Sequence, residues 1–84
     1  MYQIYLLKCF DGSLYCGITT NVKRRFREHK DGEGGAYTRS HKVVKIVYTE
    51  KCKDRSAALK REAEIKRLSK TEKLKLIKRK SAVR

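Results

Sequence analysis

The chain has 84 residues, with 23 Lys and Arg against 9 Asp and Glu and a formal charge of +14. That length holds one small domain with one modest core, and a hydrophobic fraction of 39% excludes a disordered chain. So much like charge repels itself in the compact state and attracts polyanions. Nucleic acid is therefore the first partner to consider, ahead of anionic membrane and ribosomal RNA. No apolar run reaches the length of a membrane span. The opening MYQIYLLKCFDG lacks the basic segment that precedes the apolar stretch of a signal peptide. Cys9, Cys16 and Cys52 cannot all pair within one chain and form no CxxC, so they read as reduced thiols without zinc. The expected location is cytoplasmic, and nucleoid-associated if the source is bacterial.

Residues 2–9 are rich in β-branched, aromatic and large aliphatic types, which suit a strand. Tyr2, Ile4 and Leu6 share one face and Tyr5, Leu7 and Cys9 the other, so a central strand covered on both sides is expected. Asp11-Gly12 marks a turn, and the second strand is read over 13–18. A loop of two or four residues pairs Cys9 with Leu14 and sends Tyr5 and Tyr15 to opposite faces. A three-residue loop, Phe10-Asp11-Gly12 with Gly12 left-handed, pairs Tyr15 with Leu7 and Tyr5 with Gly17. Both tyrosines then share a face, about 6–8 Å apart.

Thr19-Thr20-Asn21 offers N-caps for a helix to about Lys30. Val22 and Phe26 face its core side, while Arg25 and His29, one turn apart, share a neighbouring face. Asp31-Gly32-Glu33-Gly34-Gly35 ends that helix, and residues 36–42 read as a polar loop carrying Tyr37 and Arg39. Val43 to Thr49 is the clearest strand. Asp54 or Ser56 caps a helix over 55–68, and Ser69 or Thr71 caps a last helix with Leu74, Leu76 and Ile77 as its apolar side. Fraying is expected beyond Ile77. The order ββαβαα defines an α+β fold, a three-stranded antiparallel sheet flanked by helices. It forms one domain over 1–78 with a basic tail over 79–84.

Glu62 is the first candidate for chemistry. At about 100° per residue with Ala58 at zero, it falls near ~40°, inside the apolar stripe that Glu64 escapes. A carboxylate there needs a compensating charge. An Arg or Lys supplies it in a structural ion pair, and a divalent metal supplies it in a site. Taken singly, Arg25 reads as a solvated helix residue, His29 as a structural histidine, and Tyr5 and Tyr15 as core rings. Taken for chemistry, Arg presents a planar fork to phosphate, His moves protons near neutrality, and a phenol beside cations becomes a base.

Together these residues resemble the GIY-YIG nuclease domain. The first motif is Gln3-Ile4-Tyr5 and the second Tyr15-Cys16-Gly17. Arg25 lies ten positions after the second tyrosine, Arg25 and His29 form the RxxxH pair, and Glu62 is the later helical glutamate. Gln3 and Cys16 depart from the motif at positions that supply no reacting side chain. The resemblance covers nearly the whole chain and is nearest to small stand-alone bacterial proteins of this superfamily.

It implies hydrolysis of DNA phosphodiesters with one Mg²⁺ or Mn²⁺ held by Glu62. It also implies Tyr15, or failing that Tyr5, as general base, His29 as its support and Arg25 as the group neutralising the phosphorane. Gly17 admits the DNA backbone, Lys23, Arg24, Arg27 and Arg39 contact flanking phosphates, and Tyr37 joins the nucleic-acid surface. Low sequence specificity or recognition of DNA structure is expected, in repair or recombination. The alternatives are a non-catalytic nucleic-acid-binding protein using the same basic surface, on DNA or on ribosome-associated RNA.

Overall fold

A computed structural model describes the backbone of residues 1–82 and the side chains of residues 1–79. Strand β1 (Tyr2–Cys9) lies at the centre of a three-stranded sheet, between β2 (Leu14–Thr19) and β3 (Val43–Cys52). Both pairings are antiparallel. The hairpin has the three-residue loop: Gly12 takes φ 85°, its N–H donates to the Cys9 carbonyl, and Cys9 N–H donates to the Ser13 carbonyl. Leu7 therefore faces Tyr15 and Tyr5 faces Gly17. Only a left-handed residue closes this loop without strain, so Gly12 sets the register.

The sheet divides the core in two. Ile4, Leu6 and Cys16 meet Ile65 on one face, with Leu76 and Ile77 against them. Helices α3 (Arg55–Arg67) and α4 (Lys70–Ala82) cover this side. Tyr5, Leu7 and Cys9 meet Val22 on the other face, with Tyr15 and Phe26 alongside. Helix α1 (Val22–Lys30) covers that side. Asn21 caps α1 by accepting from Arg24 N–H, and Asp54 caps α3 by accepting from Ala57 N–H. Ser69 and Glu72 form a reciprocal capping box ahead of α4.

Three boundaries differ from the sequence expectation. Residues 36–42, read as a loop, contain a short helix α2 (Ala36–His41). It starts after Gly35 without a side-chain cap, and six residues are too few to show a period or to stand alone. Tertiary contacts of Tyr37 and Thr38 hold it. Strand β3 continues past Thr49 because Glu50, Lys51 and Cys52 pair with Ile4, Gln3 and Tyr2. Helix α4 continues past Ile77, where fraying was expected, as far as Ala82. KRKSA contains no Gly or Pro, and cations favour the last turn of a helix. Residues 83–84 of the expected tail lie outside the described residues.

Candidate active site

The β1–β2 register puts Tyr5 and Tyr15 on one face with ring centroids 6.3 Å apart, and α1 lays His29 beside both. The imidazole centroid lies 5.8 Å from the Tyr5 ring and 5.1 Å from the Tyr15 ring. His29 is 1% exposed and bonded at both nitrogens. Tyr5 Oη lies 2.9 Å from Nε2, and Thr38 Oγ1, from α2, lies 2.7 Å from Nδ1. Thr38 directs its single hydroxyl proton toward the Gly35 carbonyl at 3.5 Å. We assign the tautomer in which Nδ1–H donates to Thr38 Oγ1, whose own proton turns to the Gly35 carbonyl, and Nε2 accepts from Tyr5. The result is a buried chain of phenol, imidazole and hydroxyl.

Two glycines make room for the two rings. A Cβ on Gly17 would stand 2.5 Å from Tyr5 Oη, and one on Gly34 would overlap the His29 ring. The space over Gly17, expected to admit a DNA backbone, is occupied by the hydroxyl end of the Tyr5 ring, its cross-strand partner. Gly17 is thus a seat for the phenol.

Arg25 donates through Nη1 to Glu28 Oε1 at 2.9 Å and through Nη2 to the Gly34 carbonyl at 3.2 Å. It therefore ties the glycine loop over His29, and its guanidinium also interacts with the Tyr5 hydroxyl. Burial dominates the titration of the phenol, pushing Tyr5 up to about 12 against the opposing pull of Arg25. Burial and then the Arg25 charge hold the His29 pKa below its ordinary value, so the imidazole is neutral at pH 7. A neutral, oriented imidazole next to a reluctant phenol is what proton removal from Tyr5 requires.

Glu62 is not one of the groups of this hydrogen-bonded chain. It sits on α3, which covers the Cys16 face of the sheet, and its charge helps push the Cys16 thiol up to about 11 after burial. Its side chain is 18% exposed, as its place in the apolar stripe predicts, and Lys66 Nζ supplies the compensating charge 3.4 Å from Oε2. Among the described residues, no group of three or more His, Cys, Asp or Glu is placed to hold a metal ion. Lys23, Arg24 and Arg27 are exposed on α1 and Arg39 is exposed on α2. Tyr37 stacks on Tyr15 at 5.7 Å and on His41 at 3.9 Å.

The structure thus brings Tyr5, Tyr15, Arg25 and His29 together and adds Thr38 and Gly34, which the sequence did not single out. The one signal for Gly34 was its place in a glycine-rich loop just after RxxxH. Thr38 had none, because its role depends on a helix the sequence did not show.

This fold and site define a catalytic domain of the GIY-YIG type: the model of that domain matches residues 1–75, and the chain belongs to this nuclease family. More particularly, it is similar to small proteins designated UPF0213. The UPF0213 protein DP2720 of Desulfotalea psychrophila is 54% identical over 76 residues, spanning 89% of this chain and 69% of that protein. UPF0213 protein NP_0776A of Natronomonas pharaonis is 49% identical over 76 residues, spanning 90% of this chain and 89% of that one. The solution NMR structure of UPF0213 protein BH0048 from Bacillus halodurans shares the fold with a TM-score of 0.59 at 38% identity. The match covers 93% of this chain and 84% of that one. No described helix is long and apolar enough to cross a membrane.

Proposed function

We propose that the protein is a divalent-metal-dependent endonuclease that hydrolyses DNA phosphodiesters with little sequence preference. The observation that carries this reading is the Tyr5–His29–Thr38 chain. Tyr5 O–H gives its proton to His29 Nε2, and the imidazolium keeps its Nδ1–H on Thr38 Oγ1. The charges created, phenolate and imidazolium, neutralise each other where they form, which offsets the burial that otherwise holds Tyr5 near 12. The phenolate takes a proton from the attacking water, the hydroxide adds to phosphorus, and the opposite P–O bond breaks, releasing a sugar oxygen that takes a proton from solvent. The direct bond to His29 supports Tyr5 as the base, ahead of Tyr15. Tyr15, half-buried and beside both rings, orients the water. Arg25, partly exposed, offers the N–H groups not engaged by Glu28 and Gly34 to the phosphoryl oxygens as negative charge builds.

The donor chemistry of Glu62 fits a hard cation. One carboxylate suits Mg²⁺ or Mn²⁺, which keeps several waters and takes further oxygens from the substrate phosphate instead of a full protein cage. When bound, such an ion supplies charge stabilisation at the phosphate and leaving oxygen. Lys23, Arg24, Arg27 and Arg39 bind flanking phosphates, which position DNA without reading its sequence.

The test is nicking by purified protein, in Mg²⁺ or Mn²⁺, of single-stranded, duplex, flap and branched DNA and a matched RNA, beside Glu62→Ala. Cleavage that disappears in the variant while binding persists supports the reading. A binding-only protein is favoured by one observation, the neutralisation of Glu62 by Lys66. It is the conclusion if no substrate is cut and Glu62→Ala binds as well as wild type or better.

A further inference from the structure

We propose that the cleft between the hairpin tip and the end of α2 holds an unstacked nucleobase. The protein then prefers single-stranded or frayed nucleic acid beside its cutting site. The inference rests on the nuclease reading for the site it serves and goes beyond it in naming the conformation of the substrate.

Phe10, at the hairpin tip, is 74% exposed, an unusual position for a large aromatic ring in so small a domain. It is held firmly there: its N–H donates to the Lys42 carbonyl at 2.8 Å and to the His41 carbonyl at 3.2 Å. Phe10, Asp11, Ser40, His41 and Lys42 line an open cleft of about 620 Å³. One wall continues the active site. The His41 ring stacks on Tyr37 at 3.9 Å and 7°, and Tyr37 stacks on Tyr15. A row of rings therefore leads from Tyr15, beside the proposed base, to the cleft.

The chemistry of the cleft selects a base over a backbone phosphate. Asp11 stands on the rim, with Oδ1 bonded to the Ser13 N–H and hydroxyl and Oδ2 3.9 Å from His41 Nε2. A carboxylate repels phosphate but accepts from the exocyclic amine of a nucleobase. Aromatic walls suit the flat face of any base, and Lys42 offers a cation to the phosphate that follows. Bases inside a duplex are stacked and cannot enter.

The experiment measures binding by fluorescence anisotropy without divalent metal, so that nothing is cut. Wild type and Phe10→Ala are compared on an oligonucleotide and on its matched duplex, with 2-aminopurine in the single strand to report stacking. The expected result is about tenfold weaker single-strand binding for Phe10→Ala, with 2-aminopurine quenching lost and duplex binding unchanged within about twofold. Phe10→Tyr restores both and Phe10→Leu restores neither. Equal weakening on both substrates, or no weakening on the single strand, overturns the proposal. Selective single-strand loss with no cleavage of any substrate in Mg²⁺ keeps the cleft and sinks the nuclease. Cleavage with unaltered single-strand binding does the reverse.

Discussion

Replacing Thr38 with valine removes one oxygen and keeps the shape of the side chain. In the wild type that oxygen lies 2.7 Å from His29 Nδ1 inside a site where both residues are 1% exposed. Both groups are buried, so the variant strands an N–H at a cost of about 1–3 kcal/mol. That energy has two readouts. The first is stability: a domain of this size loses about 4–8 °C of melting temperature per kcal/mol, so a fall of roughly 4–24 °C is expected. The second is the tautomer. The same energy shifts the balance toward the Nε2–H form by about 5- to 150-fold, and that form donates to Tyr5 where it should accept. Long-range proton–nitrogen NMR of the His29 ring reads the tautomer directly, and the nicking rate should fall with it. Thr38→Ser restores both, because it returns the oxygen. A Thr38→Val protein that keeps its Nδ1–H signal and its wild-type rate would falsify the assignment of the proton chain.

Gly17→Ala forces the Tyr5 ring from its seat, since the added methyl lies 2.5 Å from Oη. A loss of about 1–3 kcal/mol in denaturant unfolding is expected, together with loss of cleavage. The pH dependence follows from His29, whose pKa in the folded protein lies below its unfolded value. The unfolded chain then binds more protons as pH falls below ~6.5. Stability contributed by the neutral imidazole is complete above that pH and is lost as pH falls toward the folded pKa. Denaturant melts at pH 7.5 and pH 5 check this, and His29→Gln should flatten the difference. Glu62→Ala should leave the melting temperature within a few degrees, because its partner Lys66 is largely exposed, while abolishing metal-dependent nicking.

Much of the site was readable because local chemistry fixes it. Of the loop lengths the sequence left open, the structure has the three-residue one with Gly12 left-handed, and its register puts Tyr5 and Tyr15 on one face. Helical spacing likewise gives Arg25 with His29 and the covered position of Glu62. The Lys66 partner was also within reach, since it lies one turn after Glu62. What could not be read depends on packing between distant residues. Residues 36–41 form a helix because Thr38 reaches His29 and Tyr37 reaches Tyr15, not because six residues prefer it. The space at Gly17 looked open along the chain, and only the folded pair shows that the Tyr5 ring occupies it.

The two glycine seats have a kinetic consequence. Tyr5 and His29 are located by contact with backbone and by short buried hydrogen bonds, which dissolved ions barely affect. On the proposed function the substrate is held by exposed cations on α1 and α2, which ions screen strongly. Ionic strength should therefore separate the two: added salt raises KM steeply and leaves kcat nearly level. The same protein would then look inactive in a high-salt assay at dilute DNA and fully competent once the DNA concentration is raised.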